Sequence, residues 1–98
     1  MKLPPVAVSH LQGHELIAVV GNFDEFGSEN LRLYSYDGTL QRTITAPALG
    51  KNAQFGGVSE NNGDIQATVG FQTDTVWKEE AGRLNIDQGT VTNLHRSY

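Results

Sequence analysis

Residues 31–45 read LRLYSYDGTLQRTIT, and this stretch decides the fold. From Leu31 to Tyr36 the side chains alternate. Leu31, Leu33 and Ser35 face one side of a strand, and Arg32, Tyr34 and Tyr36 face the other. Asp37-Gly38 follows at once. Asp-Gly between alternating runs marks a hairpin, because a tight hairpin turn asks for positive φ at both central residues. Thr39–Thr45 is then the return strand. Upstream, Leu16–Val20 (LIAVV) is short, rich in β-branched residues and ended by Gly21, which predicts a strand buried on both faces. Val6–Ser9, after Pro4-Pro5, is a strand opening, since proline sits before or at the start of a strand.

The second half says nearly the same thing. Val8-Ser9 returns as Val58-Ser59 and Gly13 as Gly63, 50 residues on. Ala18, Val20 and Gly21 return as Ala67, Val69 and Gly70, 49 residues on. Arg32-Leu33 returns as Arg83-Leu84, and Gly38-Thr39-Leu40 as Gly89-Thr90-Val91, 51 residues on. The order never changes, and the drift falls in loops. After the connector Ala46–Lys51, the predicted strands are Phe55–Ser59, Ile65–Phe71, Arg83–Asp87 and Thr90–His95, with Asn62-Gly63 and Gln88-Gly89 at turns. Ile65–Phe71 alternates and is expected to be half-exposed. Thr73–Ala81 fits two readings, a short helix stopped by Gly82 or a continuing strand on which Thr73, Thr75 and Trp77 alternate.

Four antiparallel strands in a unit of about fifty residues resemble a β-propeller blade, a likeness of plan over nearly the whole chain. There is no Trp-Asp pair of the WD kind. Gly56-Gly57 is similar to the kelch glycine pair, without the downstream Tyr and Trp spacing. Phe55-Gly56-Gly57-Val58-Ser59 with Asn62-Gly63-Asp64 resembles the FG-GAP repeats of integrin-like propellers, without the aspartates of their calcium loop, so calcium is not carried over. The expected fold is all-β: one domain over residues 1–98, made of two four-stranded antiparallel repeats at about 1–48 and 49–98. Two blades cannot close a ring. The units are therefore either blades in an oligomeric ring, part of a longer propeller, or a monomeric sandwich or barrel.

Composition narrows function. Seven basic residues are scattered among eleven acidic ones, for a net charge of −4, which disfavours nucleic acid. No apolar run approaches membrane-spanning length. There is no cysteine, hence no disulfide and no thiolate metal site. The prolines and the polar stretch Ser9–Glu15 interrupt any signal-peptide core, which suits a cytoplasmic chain, with secretion after signal removal as the alternative.

The unusual residues fall at one end of the expected sheets. Loop one carries Phe23, Asp24, Glu25, Phe26 and Glu29; loop two, from Gln72 to Gly82, carries Asp74, Trp77, Glu79 and Glu80. Aromatic faces beside carboxylates suit sugar rings or cationic groups. The plainer account is that the aromatics cover the core and the acids solvate the loops. His10 and His14, with Asp64 or His95, are the candidates for zinc, but three histidines without cysteine make a poor ligand set, and no metal or cofactor is expected. Ser9 and Ser59 suit turns. The function expected is a non-catalytic module binding a small molecule or a partner at the aromatic and acidic end, with homo-oligomerisation. The alternatives are a structural protein assembling through sheet edges, and a hydrolase using the loop carboxylates.

Overall fold

The computed structural model describes residues 2–96; residues 1, 97 and 98, the extremities of the expected domain, lie outside them. Among the described residues the strands are β1 (Ala7–Leu11), β2 (Leu16–Val20), β3 (Leu31–Ser35), β4 (Leu40–Ile44), β5 (Lys51–Asn61), β6 (Asp64–Gln72), β7 (Trp77–Asn85) and β8 (Thr90–Arg96), with a 3-10 turn at Gln12–His14 and one α-helical turn, α1 (Phe23–Phe26). They form two antiparallel meanders, β1-β2-β3-β4 (sheet 1) and β5-β6-β7-β8 (sheet 2), and neither closes into a barrel.

The sheets stack through one apolar layer. Sheet 1 contributes Leu11, Ala18, Val20, Leu31, Leu33 and Ile44; sheet 2 contributes Phe55, Val58, Ile65, Ala67, Val69, Phe71 and Leu84. β1 and β5 lie against each other and run the same way, because the links between them climb together. Ser9 Oγ donates to Val58 O, Gly13 N–H donates to Glu60 Oε1 at 2.9 Å, and His14 Nε2 is hydrogen-bonded to Gly63 O at 3.0 Å. A strap, residues 45–50, returns the chain from β4 to β5. It must span three strand spacings, about 14 Å, well within the reach of six residues. Its Ala46 N–H donates to Ser28 O, and Ser28 Oγ donates onward to Ala53 O.

Equal strand order and equal direction mean that opposite faces of the two units meet. Val8 pairs with Val19, and Val19 with Arg32; in sheet 2 the corresponding rung is Val58, Ala67, Gly82. The sheet 2 rung faces the core, whereas the sheet 1 rung faces outward. The matches in sequence do not all share ladder places: Val58 lies opposite Ala67, but Val8 lies opposite Val19 rather than Ala18.

Three expectations change. LIAVV is buried on one face only; Ile17 and Val19 are half-exposed, while the end of β6, Val69-Gly70-Phe71, is buried throughout. Thr73–Ala81 is not a helix. Thr73 Oγ1 and Val76 close a short turn by reciprocal hydrogen bonds, and β7 starts at Trp77. Asp37-Gly38 is not a turn with two positive φ angles: only Gly38 is left-handed (φ 88°), at the end of a three-residue loop. The two-residue turn with positive φ at both positions is Asn62-Gly63, at 53° and 85°. Asn52 (56°) and Asn93 (55°) take the same conformation where β5 and β8 break register, a conformation asparagine tolerates better than most residues.

Asn30 ties the sheets together. It is 0% exposed; its Nδ2 donates to Gly21 O (3.0 Å) and Phe55 O (2.9 Å), and its Oδ1 accepts Phe55 N–H (2.9 Å). The carboxamide thus pairs with both polar groups of one β5 residue as a neighbouring strand would. Asn30→Ala leaves three buried backbone groups unpaired and is expected to cost about 3 kcal/mol, on the order of 15 °C in Tm for a chain of this size. Asn30→Asp keeps the acceptor but buries a charge. Its raised folded-state pKa makes the loss greatest at neutral pH and smaller as pH falls, a trend that thermal unfolding at pH 7 and pH 4.5 reads directly.

Candidate functional site

Loop one, the strap and the β6–β7 turn gather at one end of the stack, but the residues expected to form a site there are divided between the two sheets. In α1, Asn22 Oδ1 accepts Asp24 N–H at 2.9 Å, capping the helical turn. The Phe26 ring lies over Gly21, where any Cβ would overlap it, and Arg32 stacks on that ring at 4.1 Å from its centroid. Glu25 accepts the N–H groups of Lys2 (2.9 Å) and Leu3 (2.8 Å), pinning the segment before β1. Phe23 is half-buried, while Asp24 and Glu29 are exposed.

The second group does not form a loop. Trp77, Glu79 and Glu80 lie on β7, and only Asp74 stands in the turn. The Trp77 indole lies over Gly70 on the outer face of sheet 2, again where a Cβ would overlap it. Gly21 and Gly70 match in sequence, and each carries an aromatic ring where a side chain would stand. This explains why glycine recurs there. Glu79 and Glu80 are adjacent on one strand and therefore point to opposite faces, which prevents them from acting as a pair.

Two features escaped the sequence. At the hairpin end, His14, Asp64, Arg83, Asn85, Asp87 and Asn93 help line an open polar groove of about 380 Å³, with Arg83 paired to Asp64. The histidines are separated: His10 Nε2 bonds the Tyr36 hydroxyl at 2.7 Å, His14 bonds Gly63 O, and His95 Nδ1 bonds Asn93 O at 3.0 Å. Among the described residues no His, Cys, Asp or Glu cluster gathers that could hold a metal ion, and no helix is long and apolar enough to cross a membrane.

The larger feature is the outer face of sheet 1. Val8 (60% exposed) and Leu40 (43%) stand with half-exposed Ile17, Val19 and Tyr34, and Tyr36 (56%) borders them. Val8, His10, Ile17 and Tyr36 line a shallow depression of about 560 Å³, where the His10 and Tyr36 rings meet edge-on with centroids 5.4 Å apart. Arg32 crosses this face, and its buried Nε has no hydrogen-bond partner. The outer face of sheet 2 is the opposite in character, presenting Ser59, Gln66, Thr68, Arg83 and Thr92, with Trp77 at one end.

The backbone N–H groups of Leu3 and Lys2 hold the Glu25 carboxyl below the ordinary carboxylate range. A depressed folded-state pKa contributes stability that is full above the unfolded-state value and is lost as pH falls through the folded one. Acidification is therefore expected to release Lys2 and Leu3 at a pH below that of ordinary glutamate titration. Their amide chemical shifts, followed by NMR from pH 6 to pH 2, check this, and Glu25→Gln is expected to abolish the transition.

Compared with protein-family models, with curated proteins and with solved structures, the chain matches none.

Proposed function

We propose that this chain is a non-catalytic interaction module, a pair of propeller-type blades that takes a protein partner on the outer face of sheet 1. The observation that carries the reading is the apolar character of that uncovered face, with half-exposed Arg32 crossing it. Contiguous exposed apolar surface crossed by an aromatic and an arginine is the composition of interface centres. Parallel β1 and β5, the strap from outermost to innermost strand, and the meeting of opposite faces support the blade reading. To test it, a photo-crosslinking residue replaces Val19, on the apolar face, or Thr68, on the polar one. The expected result in native cells is one discrete cross-linked protein from position 19 that position 68 and a Val8→Lys background both lose. Identical capture patterns from the two positions would refute the assignment.

A second reading, a sugar or cationic small molecule held at the aromatic and acidic end, is favoured by Trp77. Its indole is 47% exposed above Gly70, with Glu79 one pleat along the same face. Phe23, Asp24, Glu25, Phe26 and Glu29 lie in or beside α1, Asp74 stands in the β6–β7 turn and Glu80 points to the opposite face of β7 from Trp77, so they contribute less to any single pocket. A thermal-shift screen of glycans and quaternary amines is expected to give a stabilisation that Trp77→Ala removes; a screen without any hit rejects this reading.

A further inference from the structure

We infer that the partner docks as another four-stranded sheet, laid on sheet 1 as sheet 1 is laid on sheet 2, and that it presents an acceptor oxygen to Arg32. The inference rests on the interaction role proposed above and specifies the chemistry of the occupant.

The ladders identify what kind of surface is bare. With Val8 in the place of Val58, the pairings put Ile17 in the place of Ile65, Val19 in that of Ala67, Tyr34 in that of Leu84 and Leu40 in that of Val91. Every one of those sheet 2 residues faces the core or packs against it. Apart from Arg32, which takes the place of Gly82, and His10, which takes that of Glu60, the bare face of sheet 1 is thus the same kind of face that, in sheet 2, is covered by another sheet. Stacked repeats need a polar outer face only on the unit that ends the stack. Sheet 2 carries such a face, with Ser59, Gln66, Thr68, Arg83 and Thr92; sheet 1 does not. By this criterion sheet 2 is a terminal unit and sheet 1 an internal one.

A second copy of the chain is the wrong occupant on three counts. The surface that covers a face of this kind is the inner face of sheet 1, which is already used within the molecule. The copy's other free face, on sheet 2, is polar. Two bare faces joined about a two-fold axis would bring two Arg32 guanidiniums, each already stacked on its own Phe26, to face one another with like charge. Area points the same way. Four five-residue strands make a face of roughly 17 by 19 Å, a small footprint for a free-standing complex. A sheet other than the two of this chain, with an acidic or carbonyl oxygen opposite the Arg32 guanidinium, suits both the apolar face and the half-exposed arginine. It binds transiently unless other contacts hold it.

The test uses the absence of native cysteine. Val8→Cys places a single thiol on the bare face, and its rate of modification by a thiol reagent is compared in two chains. One is the full chain; the other carries an additional copy of residues 2–50 ahead of Lys2, so that the strap delivers a tethered third sheet to the bare face. The expected result is at least tenfold slower modification in the three-sheet chain, with a higher Tm. The added sheet brings no carboxylate among its inward residues. Arg32→Met is therefore expected to slow modification a further few-fold in the three-sheet chain and to leave the rate in the two-sheet chain unchanged. Equal rates in both three-sheet forms and in the two-sheet chain overturn the stacked sheet. Protection without any effect of Arg32→Met overturns the acceptor. A wild-type chain that weighs as two copies by light scattering, with the V8C thiol protected as concentration rises, overturns the choice of a foreign partner. Capture at position 19 with an unprotected V8C thiol in the three-sheet chain keeps the interaction role and removes only the stacked sheet.

Discussion

The buried carboxamide of Asn30 is the constraint on which the rest of the molecule depends. Apolar burial brings the two sheets together, but it is non-directional and would tolerate a slide of one over the other. The paired hydrogen bonds between Asn30 and Phe55 remove that freedom, because a shift along β5 leaves a donor and an acceptor unpaired in a dry layer. With Phe55 held, β5 lies along β1 in one register. The clamp of Gly13 and His14 onto Glu60 and Gly63 then closes the opposite end. The strap is held at its start by Ser28 and needs no further support.

That register explains the contrast between the two outer surfaces. Stacking with equal direction forces unlike faces together, so the molecule ends with one face of each kind exposed. In a two-fold sandwich both exposed faces would be alike, and both would be polar. Here one is polar and the other keeps the valines, isoleucine, leucine and tyrosines of an interior rung.

Much of this is legible in the chain itself. Alternation in Leu31–Tyr36, the Asp-Gly, Asn-Gly and Gln-Gly pairs and the recurrence at about fifty residues specify two meanders without reference to coordinates. What alternation cannot specify is which side of a strand is covered. LIAVV is apolar on both sides, and its reading as doubly buried fails because nothing lies over Ile17 and Val19. The rim of aromatics and acids fails as a single cluster for a related reason: Glu25 is committed to backbone 22 residues earlier, Phe26 to Gly21 and Trp77 to Gly70. The recurring glycines at 21 and 70 carried the signal, since a bare position repeated before an aromatic marks a seat for a ring. Asn30, inside an otherwise solvent-like loop but next to the apolar Leu31, gave no comparable sign, because its partner lies 25 residues away.

The meander topology also shapes how the chain reaches this state. Every ladder joins strands that are consecutive in sequence, so each sheet assembles by short loop closures, the fastest events available to a β protein. The links between sheets span 25 to 49 residues. Docking of the two sheets therefore closes longer loops than the pairing of strands within either one. Until Asn30 engages Phe55, the nascent molecule presents apolar surface on both sides of sheet 1, and that interval is when it is most exposed to adventitious association.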